Sequence, residues 1–266
     1  MILLAEKDAI TKAYMQNNTV FADAFNYLMY DGKQVIDPDS LKPMDTTALA
    51  LPYGNDKKTK SIQKYRDVFK RVCAMTDDNR VYLILGIENQ SHIHYAMPVR
   101  NMLYDAIQYE NQIKAIADKH RKNNEQSDTN DEYLSGFNKD DKLIPVITLT
   151  IYFGASKWDA PKDLHSMLDA DEETLKFVDN YHLHLITPES IGENDFSKFH
   201  SELKYLLKYI KHSSDKKALD EEVHGDTAYT NLSHETANAI NILTGSKLKL
   251  EDNGKGALTC ARLLMI

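Results

Sequence analysis

The chain has 266 residues, of which 42% are hydrophobic and 27% charged. That composition excludes wholesale disorder, collagen and mucin-like stalks, and the length is ample for a buried core. Net charge is −8, from 40 acids against 32 bases, which argues against a broad basic nucleic-acid surface but says nothing of local patches.

The opening MILLAEKDAITK lacks the basic flank and long apolar stretch of a secretory signal. No apolar run approaches the roughly 18 residues that span a bilayer. Two cysteines, Cys73 and Cys260, cannot build a disulfide framework. The expected location is therefore the cytoplasm, with no membrane partner.

Phe21, Phe25, Leu28 and Met29 recur at helical spacing over 19–31, and Gly32 suits the end of that helix. Residues 37–60 read as loop with a short strand at 48–52. Two β-rich runs within 62–90 flank Thr76-Asp77-Asp78-Asn79, a hairpin signal. The second run, 81–87, is apolar on both faces, as a central strand is. A helix opens at Met97-Pro98 and runs to about Lys119 on Val99, Met102, Leu103, Ala106, Ile107 and Ile113. Residues 121–141 form a polar surface insertion. A second central strand covers 143–153 and ends at Gly154. Pro161 suits the first turn of a helix over 161–168. A short strand follows at 181–186, and a helix at 196–213 carries Phe196, Phe199, Leu203, Leu206, Leu207 and Ile210. Residues 214–231 are polar and partly helical, and Ser233 caps a helix over 233–244. The tail from 246 is ambiguous. This order predicts a mixed α/β core over 1–190, with a helical extension over 191–266 packed on it.

The hairpin carries the first chemical signal. A loop at Thr76–Asn79 sets Asp67 opposite Glu88, with β-carbons about 4.5–5.5 Å apart. Gln90 is two residues beyond Glu88 and shares its face. A loop one residue longer would put the acids on opposite faces. Two carboxylates with the Asn89 carbonyl make a partial shell for Mg²⁺, which keeps several waters. The alternative is structural: Glu88 ends a strand, and Asp67 pairs with Arg66 or Lys70.

Five blocks in order extend the pattern: FADAFNYLMYDGKQVI (21–36), KYRDVFK (64–70), YLILGIENQS (82–91), YAMPVRNMLYDA (95–106), and PVITLTIYFG followed by WDAPKDLHSML (145–168). On these blocks the chain resembles the Rpn-type recombination-promoting nuclease and transposase family, within the PD-(D/E)XK nuclease superfamily. The resemblance covers about 15–250. It implies a restriction-endonuclease-like core, a mixed sheet flanked by helices, with the site on its hairpin. It implies Mg²⁺ or Mn²⁺ as cofactor, DNA as substrate, and phosphodiester hydrolysis linked to recombination or mobile elements. Asp67 and Glu88 match the family's metal ligands. Gln90 stands where the superfamily most often has Lys, and it can hydrogen-bond but carries no charge. The acid often found on the first helix of such proteins maps onto Asp23. A homodimer follows by analogy with nucleases that cut both strands.

Lys64, Arg66 and Lys70 flank the site on the outer strand and are candidates for steering phosphate. Arg100 and Tyr104 share a face of the following helix at i and i+4. Arg100 is either a phosphate contact or the partner of Asp105 or a neighbouring acid. His92-x-His94 is too small a set for a metal site, and His182-x-His184 shows one exposed strand face. Trp158 reads as a packing residue. Gly254-Lys255-Gly256 lacks P-loop spacing. The rival function is a catalytically silent module that keeps the fold and binds nucleic acid or protein, motivated by Gln90 and the charge of −8.

Overall fold

The structure is a computed structural model that describes residues 2–44, 47–50, 62–65, 67–76, 79–124, 127–248, 250–252 and 258–260. Helices α1 (Ile2–Gln16) and α2 (Asn18–Tyr30) come first. Strands β1 (Lys42–Pro43), β2 (Thr47–Ala50), β3 (Ile62–Tyr65), β4 (Val68–Thr76) and β5 (Asn79–Gln90) follow. Helix α3 (Met97–Asn123) and the short α4 (Asn130–Ser135) lead to β6 (Val146–Tyr152). After α5 (Glu172–Leu175) and β7 (His184–Ile186) come α6 (Leu203–His212), α7 (Lys216–Gly225) and α8 (His234–Thr244), then β8 (Leu250–Asp252) and β9 (Leu258–Cys260). No helix among the described residues is long and apolar enough to cross a membrane.

The architecture is α/β. A five-stranded sheet runs in the order β1-β4-β5-β6-β7, with helices on both faces. β4 and β5 pair antiparallel from Thr76↔Asn79 to Val68↔Ile87, so the hairpin has the register its turn predicts. β6 lies parallel to the other side of β5, and α3 is the crossover that parallel neighbours require. Paired on both edges and covered on both faces, β5 is buried from Leu83 to Asn89.

The two faces of the sheet differ in chemistry. Leu83, Leu85, Ile87, Val68, Val72 and Leu149 point into the main core with α1, α2, α6 and α8. This one cluster takes side chains from both 1–190 and the C-terminal helices, so the extension closes the core of the sheet. The opposite face meets α3 and is polar along β6. Asn101 Nδ2 donates to Thr150 Oγ1 at 2.9 Å, Thr148 Oγ1 to Asp105 Oδ1 at 2.5 Å, and the Tyr181 hydroxyl to Asp105 Oδ2 at 2.6 Å. The buried residues of α3 therefore include Asn101, Tyr104, Asp105 and Gln108 beside Met97 and Ile107, while Val99 and Ile113, which the apolar period places inward, are exposed.

Three other elements depart from the sequence reading. Residues 2–16 form a full helix, although its buried positions include Thr11 beside Tyr14 and Met15, which blunts the apolar period. The 161–168 segment is not a helix beyond a turn at His165–Met167. Its backbone instead runs beside 181–183, with Leu183 N–H donating to the Lys162 carbonyl and Leu164 N–H to that of Tyr181. The 196–213 helix is split into a 3-10 turn (Glu193–Lys198) and α6, because the N–H groups of His200 and Ser201 turn to Asp23. The predicted caps are present. Asp31 and Gly32 end α2 in the left-handed region, and a β-carbon on Gly32 would meet the Lys198 carbonyl oxygen at 2.6 Å. The Ser233 hydroxyl accepts from Thr236 N–H at the start of α8.

Candidate active site at the end of the hairpin

The β4–β5 ladder ends at Val68↔Ile87. Asp67 is a bend just before β4, and its carboxylate folds across the ladder end. Asp67 Oδ2 accepts from the backbone N–H of Asn89 at 2.8 Å. Glu88 occupies the adjacent strand position, on the α3 face, and is fully buried. A buried carboxylate must be paired or bonded. Arg100, on the first turn of α3, meets that need in part: its Nη2 lies 3.1 Å from Glu88 Oε2. Arg100 Nε also donates to the Tyr104 hydroxyl at 3.2 Å, as their i, i+4 spacing predicts. Of the readings open for Arg100, the ion pair is present, and its acid is Glu88, not Asp105.

Gln90 is half-buried, and its Nε2 donates to the Asn89 carbonyl at 2.9 Å. Asp67, Asn89, Gln90 and Arg100 line a cavity of about 360 Å³ together with Asp8, Ser91 and His92. Glu88 lies behind this wall and is not among its lining residues. α1 supplies Asp8, which accepts from the Ser91 hydroxyl at 2.8 Å. The sequence marked neither Asp8, which lines the cavity, nor Lys12, whose charge acts on Asp67. They sit four residues apart on a helix whose burial stripe is partly polar, and that spacing was the available signal.

Burial first, and then the neighbouring charges and hydrogen bonds, set the titration of Asp67 and Arg100. Burial pushes the Asp67 carboxyl up. The Asn89 N–H, Arg100 and Lys12 oppose that rise, and Asp8 adds to it. Burial works against the Arg100 charge, but Glu88, Tyr104 and Asp67 together hold its guanidinium above the ordinary value. A carboxyl raised on folding favours the fold at acid pH, and that contribution is lost as pH rises through the folded value. Asn at 67 can accept the same N–H bond without a charge. Asp67→Asn should therefore melt higher than the wild type at neutral pH, with the gap closing in acid. Thermal melts across pH check this, and a lower neutral melting point for the variant would contradict it.

Other expected site residues lie elsewhere. Asp23 is buried in the main core side of α2, away from the hairpin cavity. Its carboxylate accepts from His200 N–H, Ser201 N–H and the Ser201 hydroxyl at 2.6 to 3.1 Å. It anchors the start of α6. Lys70 is buried, and its Nζ donates at 2.7 Å to the Gln16 carbonyl and at 2.7 Å to Asn18 Oδ1. It ties the α1–α2 junction to β4, and burial lowers it to about 8, so it is not a steering cation at the surface. Lys64 lies on β3 opposite Ala48. Arg66 falls outside the described residues. Trp158 is a packing residue, edge-on to Tyr152 at 5.5 Å.

No family model, curated protein or solved structure matches the chain. The fit of a metal therefore rests on the donors themselves. Asp67 and Glu88 are hard oxygen donors on neighbouring positions of one ladder end, which suits Mg²⁺ or Mn²⁺. The Asn89 carbonyl already accepts from Gln90 but has a second lone pair. Among the described residues no group of three His, Cys, Asp or Glu side chains is placed to hold a metal ion, so the shell would be completed by water. The donor chemistry fits a cation of this kind, with Arg100 at Glu88 as its competitor.

Proposed function

We propose that this chain is a Mg²⁺- or Mn²⁺-dependent DNA endonuclease on a restriction-endonuclease-like core. The observation that carries the reading is the end of the hairpin ladder, where the Asp67 carboxylate is held on Asn89 N–H beside the buried Glu88. Acids are rare in strands, and a buried Glu beside a second acid draws positive charge, which Arg100 supplies in part. The mixed sheet, with its site on the central hairpin and a crossover helix covering one face, is compatible with that core.

In this reading Asp67 and Glu88 would hold the cation, with the Asn89 carbonyl as a further donor. When bound, the ion supplies positive charge against the developing negative charge on the phosphate and promotes ionisation of water. The protein's own groups do the rest. Gln90, held by the Asn89 carbonyl, offers its amide oxygen to orient a water molecule. Arg100 and Lys12 offset the negative charge that the three acids would present to a phosphodiester. The cavity is open and polar, as a site for an extended polyanion needs to be.

The test is direct. Purified protein incubated with supercoiled plasmid should nick it when Mg²⁺ or Mn²⁺ is added and leave it intact when the metal is chelated. Plasmid that stays intact at every metal concentration would overturn the reading. One observation favours the rival, a silent module that binds nucleic acid or protein: Glu88 already has an organic cation in Arg100. For that module, DNA retention without metal-dependent cleavage is the expected outcome.

A further inference from the structure

The arrangement of Arg100 has a consequence for how a cation enters. Glu88 is fully buried, and Arg100 Nη2 contacts its Oε2 at 3.1 Å. The Arg100 side chain is 34% exposed and forms part of the cavity wall, whereas Glu88 does not. The guanidinium therefore stands between the cavity and one of the two carboxylates. The Tyr104 ring lies beneath it, 5.7 Å from the guanidinium carbon, and the hydroxyl bonds to Nε. This contact is built, not incidental: helix spacing, a ring and a hydroxyl all hold one rotamer.

We propose that Arg100 is an exchangeable counterion, which occupies Glu88 in the metal-free protein and is displaced when a divalent cation binds there. The inference rests on the nuclease reading and adds its regulation. Two cations cannot both sit close to one carboxylate at no cost, because their mutual repulsion in a buried site is large. Cation entry then releases the guanidinium toward the cavity, where its fork can pair with a phosphate oxygen. Metal loading and phosphate recognition become one coupled event. A protein without metal keeps its phosphate-binding group engaged on Glu88, which suits a chain whose net charge is −8.

Competition of this kind has a signature in binding. Removing the competitor raises the affinity for the cation by the factor with which the ion pair had suppressed it. Manganese titrated by calorimetry into the full chain should bind about tenfold more tightly to Arg100→Gln than to the wild type. Arg100→Lys, which keeps the charge but loses the fork, should fall between them. Without metal, Arg100→Gln should melt lower than the wild type, and added Mn²⁺ should raise its melting point by more. Equal or weaker Mn²⁺ binding by a folded Arg100→Gln or Arg100→Lys overturns the exchange and leaves the nuclease reading intact. Mn²⁺ binding to neither wild type nor variants, or undiminished binding to Glu88→Gln, overturns the cation site and the exchange together.

Discussion

On the proposed nuclease reading, Glu88→Ala should reduce metal-dependent cleavage of plasmid DNA by about a thousandfold or more. The side chain is fully buried at the end of the central strand, so no neighbouring surface acid can take its place. Truncation also leaves Arg100 without the carboxylate 3.1 Å away, and some loss of stability will accompany it. Glu88→Gln separates the two effects. It keeps the volume and can still accept a bond from the guanidinium, but it no longer carries the charge a hard cation needs. It should fold like the wild type and cleave as poorly as Glu88→Ala. Asp67→Ala should match it, since Asp67 is the other carboxylate at the ladder end. Nicking by Glu88→Gln within a few-fold of the wild-type rate would sink the site assignment.

Asp23→Ala should cost about 3 kcal/mol or more of folding stability, the largest stability effect expected of any single polar change here. The carboxylate accepts from His200 N–H, Ser201 N–H and the Ser201 hydroxyl, and Asp23 and Ser201 are buried. Alanine would leave those donors without an acceptor, away from water. The start of α6 would lose its anchor, and α6 carries Leu203, Leu206, Leu207 and Ile210 into the main core. Asp23→Asn keeps one good acceptor and should lose less. Chemical denaturation of both variants measures this. Below its melting point, the Ala variant should retain the cleavage rate of the folded protein. A variant of normal stability with abolished cleavage would instead return Asp23 to the catalytic set.

Much of the hairpin site was legible because its signals are local. Thr76-Asp77-Asp78-Asn79 between two β-branched runs specifies a turn, and a turn fixes a register. The described pairs from Thr76↔Asn79 to Val68↔Ile87 follow from it, and so does the meeting of Asp67 with the 88–89 segment. The bend at Asp67 was not legible. Whether the last residue of a run pairs or turns away depends on what covers the strand end, and that is α1 and α3. Asp23 and Lys70 illustrate a second limit. A charged residue at the right spacing reads as functional. Here both are consumed by backbone groups, of 200–201 for Asp23 and of Gln16 for Lys70, and no pattern in the sequence signals that. Asp8 illustrates the converse, since long-range folding alone brings it to Ser91.

Helix α3 makes the same point for packing. The apolar period over Val99, Met102, Leu103, Ala106 and Ile107 located the helix, but of these only Ile107 is buried, and it shares the inward side with Asn101, Tyr104, Asp105 and Gln108. Polar positions face inward because the sheet beneath them carries Thr148, Thr150 and Glu88, and polar groups on one surface must be met by polar groups on the other.

A net charge of −8 counts against binding to a polyanion. By itself the sequence determined the class of fold, the hairpin register and the pair of acids at its end, all of which depend on residues within one turn or one strand of each other. Only the tertiary structure decided which charges face the cavity. It buried Lys70, spent Asp23 on α6, brought in Asp8 from α1, and set Arg100 against Glu88. The physical reason is that composition counts charges, whereas the electrostatics of a site depends on where each is placed and what already neutralises it.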